Sequence, residues 1–210
     1  MSETIDFYTN PMSRGQTVRW MLEEVGAPYE THILDYATTL KAEPYLSINP
    51  MGKVPAIRHR GKVVTEVAAI CCYLADAFPD AGLAPEPRDR ADYYRWIFFT
   101  SGPIEAAFSN KAAGFEPTPE RQRMFGYGNY DLAIGTLEKA LEGRRFIAGD
   151  RFTAADLFVG ANVNFMLAFN LLEPRPAFTD YAARMTDRVA YRRAKQIDAK
   201  LIAEMNPTPA

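Results

Sequence analysis

The chain has 210 residues and a formal net charge of −2. That is long enough for one large domain or two small ones around a real core, and the charge balance gives no support to nucleic-acid or anionic-membrane binding as the main activity. No apolar stretch approaches the ~20 residues that span a bilayer, and the acidic start Met1-Ser2-Glu3-Thr4-Ile5-Asp6 lacks the basic and apolar regions of a signal peptide, so a cytoplasmic location is expected.

In chain order, the apolar run Ile5 to Tyr8 predicts a strand, broken at Asn10-Pro11. From about Arg14, Val18, Met21, Leu22 and Val25 recur at helical spacing, and Gly26-Ala27-Pro28 stops the helix. Tyr29 to Leu34 predicts a second strand, which makes a βαβ unit with parallel strands. An irregular stretch with room for a short helix follows. Strands Ala56–His59 and Lys62–Val64 then flank Arg60-Gly61 as an antiparallel hairpin. The next helix, Glu66 to Phe78, turns Ile70, Leu74 and Ala77 toward the sheet. Cys71 and Cys72 fall inside it; adjacent cysteines with no third sulfur exclude a disulfide framework and C-x-x-C metal spacing, and predict structural burial. His32 and His59 sit in predicted strands without a partner at ligand spacing, so neither reads as a metal ligand and no metal is expected.

Pro79 to Pro87, with three prolines and a glycine, reads as a linker. Beyond it Arg88 to Asn110, Glu120 to Leu141, Ala154 to Leu171 and the segment from Ala177 onward all predict helices, without a strand. The expected fold class is α/β plus all-α: an α/β domain over 1–79, a linker over 80–87 and an all-helical domain over 88–210. Thr153 with Asp156 predicts a capping box at the start of a buried helix, a folding role that is worth on the order of 1 kcal/mol or more. The tail Asn206-Pro207-Thr208-Pro209-Ala210 is expected to be disordered.

Two runs carry the chemistry. Asn49-Pro50-Met51-Gly52-Lys53-Val54-Pro55 brings a glycine and two prolines up to a strand, so the backbone before Pro55 is free to pair with an extended peptide. Val63-Val64-Thr65-Glu66-Val67 takes a strand straight into a helix, whose first N–H groups and positive dipole end suit a carboxylate. Together they make a clamp for a small, charged, peptide-like ligand.

Tyr8 to Ser13 leading into the first helix, Asn49 to Ile57, Glu66 to Leu74, the proline linker and Gly149 to Asp156 occur here in one order and at characteristic distances. Over nearly the whole chain the combination resembles the cytosolic glutathione transferases, in particular serine-type, bacterial-like members. The resemblance implies a thioredoxin-like domain followed by a helical bundle, a cis bond at Val54-Pro55, a homodimer, and glutathione as co-substrate. Ser13 matches the serine that activates the thiol; its simpler role is that of a helix N-cap. Asn10 is the second candidate, if Arg14-Gly15 is registered against tyrosine-type members, whereas Tyr8 lies too early in the strand and reads as a core aromatic.

By the same comparison the Val54 backbone pairs with the cysteinyl part of glutathione, Lys53 and Lys41 are candidates for the glycyl carboxylate, and Glu66 accepts from the γ-glutamyl ammonium. Val67 departs from the family, which has Ser or Thr there to bind the γ-glutamyl carboxylate, and weaker glutathione binding is expected. The second substrate, a small apolar electrophile, is expected in a groove between the domains. Met12 and Phe108 are the leading candidates for its wall, ahead of Trp96, Phe99, Ser101 and Phe165. The same thiolate would serve isomerisation, dehalogenation or peroxide reduction. A non-catalytic binding or assembly module is the alternative of another class, and a thiol-disulfide oxidoreductase is opposed by the lack of a cysteine near Pro11.

Overall fold

The computed structural model describes residues 4–205; the expectation for the tail beyond Asn206 falls outside them. The chain divides into two compact units, one formed by the segment through Leu83 together with the segment from Asp187, the other by Ala84–Thr186.

The first unit holds a four-stranded sheet in the order β2-β1-β3-β4. Strand β1 (Ile5–Thr9), helix α1 (Gly15–Val25) and strand β2 (Tyr29–Ile33) form the βαβ unit, with β1 and β2 parallel and Tyr8 opposite His32. Val18, Trp20, Met21 and Leu22 are the buried face of α1. Gly26 ends the helix at φ 65°, where a side chain is disfavoured, and its N–H returns to the Leu22 carbonyl at 3.0 Å. Between β2 and the next strand the room for a helix is taken by two short 3₁₀ turns, Thr39–Lys41 and Tyr45–Ser47. Leu34, Leu40 and Tyr45 pack there with Tyr8 and Ala56.

Strands β3 (Ala56–His59) and β4 (Lys62–Thr65) pair antiparallel, as do β1 and β3. Arg60 (φ 52°) and Gly61 (φ 75°) supply the two left-handed residues that a tight two-residue hairpin needs. Helix α2 (Val67–Ala77) buries Ile70, Cys71, Leu74 and Ala75, not Ala77, which is half-buried one position further round. Burial pushes the Cys71 thiol far above its ordinary pKa, which leaves it inert.

The second unit is helical: α3 (Ala91–Phe99), α4 (Glu105–Ala112), α5 (Tyr130–Leu141), α6 (Ala154–Ala168) and α7 (Pro176–Thr186). The helix expected over Arg88 to Asn110 is interrupted by a π turn at Thr100–Ile104 that contains Pro103. A proline there has no N–H and crowds the carbonyl four residues back, and widening the turn accommodates both. The helix expected from Glu120 starts ten residues later, at Tyr130. Gly126 and Gly128 break the pattern before it, and the Asn129 side chain caps it by accepting from the Leu132 N–H at 2.8 Å. The segment from Ala177 onward is two helices, α7 and α8 (Val189–Met205). Contacts group α8 with the first unit, against α1, and not with the helices that precede it, as the 88–210 domain would have it.

The capping box at α6 is present. Asp156, fully buried, accepts from the Thr153 N–H at 2.9 Å, from the Ile147 N–H at 2.7 Å and from the Tyr181 hydroxyl at 2.8 Å. Burial raises its pKa even against these bonds. One carboxylate thus closes a helix start, a preceding loop and α7 together. Asp156→Ala leaves four buried donors without an acceptor, the three above and the Thr153 hydroxyl at 3.1 Å, and should destabilise the protein by about 3 kcal/mol or more in urea unfolding; a loss below about 1 kcal/mol would mean the four donors find other partners.

Candidate active site

The sheet register collects the expected site residues at one end of the first unit. Tyr8, Ala56 and Thr65 form a single row across β1, β3 and β4. The chain leaves β1 one residue past that row, enters β3 at it and leaves β4 from it. The turn Asn10–Arg14, the Val54-Pro55 bond and the Glu66-Val67 junction therefore share one edge.

At the first of these, Gly15 lets α1 begin hard against the end of β1. A Cβ at this position would lie 1.9 Å from the Thr9 hydroxyl oxygen and 3.0 Å from Ser13 Oγ, so only glycine fits. Ser13 is half-buried; its Oγ accepts from the Gly15 N–H at 2.9 Å and donates to the Asn10 carbonyl at 2.6 Å, which also takes the Ser13 N–H at 3.0 Å. Asn10 is 1% exposed. Its Nδ2 donates to the Leu34 carbonyl at 2.9 Å and its Oδ1 accepts from the Met12 N–H at 2.9 Å. The amide thus ties the turn to the end of β2. Met12 is 53% exposed at the tip of the turn. Tyr8 is core: buried, stacked on His32 at 4.7 Å and tilted against Tyr45, with burial raising its phenol pKa.

At the second, the Val54-Pro55 bond is cis. Val54 lies outside the β3 pairing, and among the described residues its N–H and C=O have no hydrogen-bond partner. The loop before it is fixed from behind. The Lys53 carbonyl accepts from Asn49 Nδ2 at 2.9 Å and from the Tyr45 hydroxyl, while Lys41 Nζ donates to the Gly52 and Met51 carbonyls at 2.7 and 3.2 Å. Lys41 therefore holds the loop, whereas the Lys53 side chain is exposed. The sequence does not single out Tyr45 or Asn49 for this anchoring, because a buried phenol and amide reaching one carbonyl leave no periodic signal.

At the third, Glu66 adopts φ 66° and ψ 121°, a conformation that a non-glycine residue holds only at a cost. Its carbonyl accepts the first helical bond of α2, from Ile70 at 2.8 Å. No side chain caps the N–H groups of Val67, Ala68 and Ala69 and no acid lies in that first turn, so the helix start is open to an anion. The exposed Glu66 carboxylate stands beside it.

In the second unit Phe108 is buried against Phe165, ring centroids 6.3 Å apart, and Trp96 is buried edge-on to Phe99. Ser101 is exposed. A cleft of about 840 Å³ in this unit, lined among others by Glu138, Glu142, Arg144, Asp180 and Arg184, contains none of the residues the sequence singles out. For a metal, one candidate group exists among the described residues: Asp6, Glu30 and His32 bring ligand atoms within 4.8 Å of one another. Asp6 is already engaged there by His32 at 3.0 Å and Arg58 at 2.9 Å.

The N-terminal domain model of glutathione S-transferases matches residues 12–77 and the C-terminal domain model matches residues 129–188. Glutathione S-transferase GST-4.5 of Xanthomonas campestris is 30% identical over 150 residues, 68% of this chain and 73% of its own length. Among solved structures, a glutathione transferase from Methylococcus capsulatus superposes with a TM-score of 0.77 at 26% identity, covering 93% of this chain and 99% of that one. A sphingomonad glutathione S-transferase complexed with glutathione gives 0.72 at 28%, covering 92% and 98%. The chain belongs to the glutathione S-transferase family.

Proposed function

We propose that this glutathione transferase is of the serine type and activates the glutathione thiol with Ser13 for attack on a small apolar electrophile. The observation that carries the reading is the contrast between the two candidate donors. Both ends of the buried Asn10 amide are spent inside the fold, whereas the half-buried Ser13 hydroxyl needs only a side-chain rotation to donate outward.

That rotation breaks a neutral hydrogen bond, a net loss of about 1 kcal/mol, and makes one to a thiolate, worth about 1.5–3 kcal/mol. The Asn10 carbonyl keeps the Ser13 N–H, so it is not orphaned, and the Gly15 N–H on Oγ polarises the hydroxyl for donation. The α1 dipole adds about 0.3–1 kcal/mol. The sum, on the order of 1–3 kcal/mol, lowers a thiol pKa of about 8.5 by roughly one to two units, which turns a thiolate fraction of a few per cent at neutral pH into about a quarter or more.

For glutathione itself, the unpaired Val54 backbone suits the cysteinyl residue in β-strand fashion. Lys53 suits the glycyl carboxylate, and Glu66 with the open start of α2 suits the γ-glutamyl ammonium and carboxylate. Val67 offers an N–H where a hydroxyl would add a second donor. The electrophile's chemistry belongs to the helical unit, where the half-buried Phe165, packed on the buried Phe108, offers an aromatic edge; Met12 is exposed beside Ser13. The protein acts in the cytoplasm as a homodimer; the exposed Tyr94 and Phe98, one turn apart on α3, and Leu132 on α5 supply apolar surface for it.

Thiolate absorbance during a pH titration of bound glutathione should show an apparent pKa below that of free glutathione, raised in Ser13→Ala toward the free value except for the part the α1 dipole keeps; an unchanged pKa in that variant would move the role away from Ser13. Val67→Ser should tighten glutathione about tenfold by calorimetry, the worth of one charge-assisted hydrogen bond; equal affinity would mean that the N–H groups of α2 already saturate the carboxylate. Sedimentation at micromolar concentration should give twice the mass of the chain, and a monomer would dismiss the dimer.

A further inference from the structure

Helix α8 is laced to α1 along its length, and the partners run in opposite order on the two helices, so they lie antiparallel. Arg188 reaches Glu24 through two bonds at 2.6 and 2.8 Å, Tyr191 meets Trp20 edge-on at 5.0 Å, and Arg193 lies 3.3 Å from Glu23. Asp198 accepts from Arg19 Nε at 2.7 Å, a pair only 1–2% exposed. This lacing fixes α8 to the core of the first unit. One more contact, Lys195 Nζ to Gln16 Oε1 at 2.9 Å, does something different.

Gln16 lies on the first turn of α1, and the other end of its amide donates from Nε2 to the Pro11 carbonyl at 2.6 Å. Pro11 is the residue between Asn10 and Met12, in the turn that presents Ser13. Two side chains reach that turn at its two ends. Asn10 anchors it to the end of β2 from below, and Gln16 anchors its outer peptide to the helix. The Gln16 amide can donate to Pro11 only with its Nε2 turned inward, and Lys195, which is purely a donor, demands that Oε1 face outward. The ammonium of α8 therefore selects the amide orientation that holds the turn.

We infer that Gln16 is a positioning residue for the thiol-activating turn, and that Lys195 of α8 sets it. Proline has no N–H to tie Pro11 into the helix, and its carbonyl is the acceptor through which the outer half of the turn can be held. With the tie in place, rotation of the Ser13 hydroxyl toward a ligand proceeds on a fixed backbone. Without it, the Pro11-Met12 peptide is free to shift, and an error of a fraction of an ångström at Oγ weakens a bond whose value depends on distance and angle. The reach of α8 into the site is thus a hydrogen-bond relay, Lys195 to Gln16 to Pro11, with no residue of α8 in contact with glutathione.

The inference rests on Ser13 as the thiol contact, and the test separates the two. Thiolate absorbance of bound glutathione is titrated against pH in the wild-type protein, Ser13→Ala, Gln16→Met, Lys195→Met and the double variant Gln16→Met/Lys195→Met, with glutathione affinity and melting temperature measured alongside. Gln16→Met should raise the thiol pKa part of the way toward the Ser13→Ala value and cut the rate with a saturating activated chloroarene about tenfold. Its glutathione affinity should stay within about twofold, since the clamp residues lie elsewhere. Lys195→Met should act in the same direction but more weakly, and the double variant should match Gln16→Met alone, because Lys195 acts through Gln16. If Ser13→Ala raises the pKa while Gln16→Met does not, only the positioning role falls. Additive effects in the double variant overturn the relay. If Ser13→Ala leaves the pKa unchanged, the assignment of Ser13 falls and this inference falls with it, whatever Gln16 does.

Discussion

The close approach of α1 to the end of β1 is the constraint from which the rest of the first unit follows. It depends on Gly15, where any side chain would collide with Thr9. With the helix start pressed against the strand, the five residues between them have no room for a loose loop, and every polar group of the turn must find a partner within it or at the end of β2. The Asn10 amide and the Ser13 hydroxyl meet that demand, and each does so at a different level of commitment. Asn10 is bound at both ends to backbone groups that have no alternative, whereas Ser13 shares an acceptor that is satisfied without it. A mobile proton donor beside a helix N-terminus is therefore a by-product of how tightly the turn is packed.

The peptide clamp shows the same economy. The Lys53 carbonyl, the Met51 and Gly52 carbonyls and the strand ladder take up the polar groups that face the fold, so those that remain face outward: the Val54 backbone, the Lys53 ammonium, the Glu66 carboxylate and the first N–H groups of α2. In the reading proposed above, their alternation of sign answers the charges of glutathione. The strained backbone of Glu66 fits this view, since a residue held at φ 66° at the mouth of a helix marks a place where geometry serves something other than stability.

What the sequence made legible was what local chemistry decides. Gly26, the Arg60-Gly61 turn and the Thr153–Asp156 box each announce themselves within a few residues, and the strand–helix–strand order follows from apolar period. The misreadings have physical causes. Met124, Phe125 and Tyr127 extend a helical apolar pattern that Gly126 and Gly128 quietly break, so α5 begins later than its period suggests. Nothing between Thr186 and Val189 resembles a conventional helix stop. The assignment of α8 to the wrong unit was unavoidable from pattern alone, because its partners, Gln16, Arg19, Glu23 and Glu24, lie more than 160 residues away and look like ordinary surface residues of an amphipathic helix. At the site, the sequence ranks Ser13 ahead of Asn10 and Lys53 ahead of Lys41, and what it could not supply is the contrast in their hydrogen bonds, which depends on carbonyls at Leu34, Met51 and Gly52.

The placement of α8 also orders events during synthesis. The first unit is discontinuous: its sheet and first two helices are made before the helical unit, and α8 only after it. Until α8 has emerged from the ribosome, the Arg19 guanidinium has Tyr29 and Thr31 but not its carboxylate, Tyr191 is missing from the face of Trp20, and Glu23 and Glu24 lack their arginines. A charge that is 1% exposed in the finished fold is then unpaired. The N-terminal segment, by usual expectation the first to fold, therefore lacks part of its unit until the last helix is made. The helical unit, whose own network around Asp156 is contained between Ile147 and Tyr181, is the part able to complete itself while the chain is still growing. The first unit is complete only once the late helix reaches back to the earliest one.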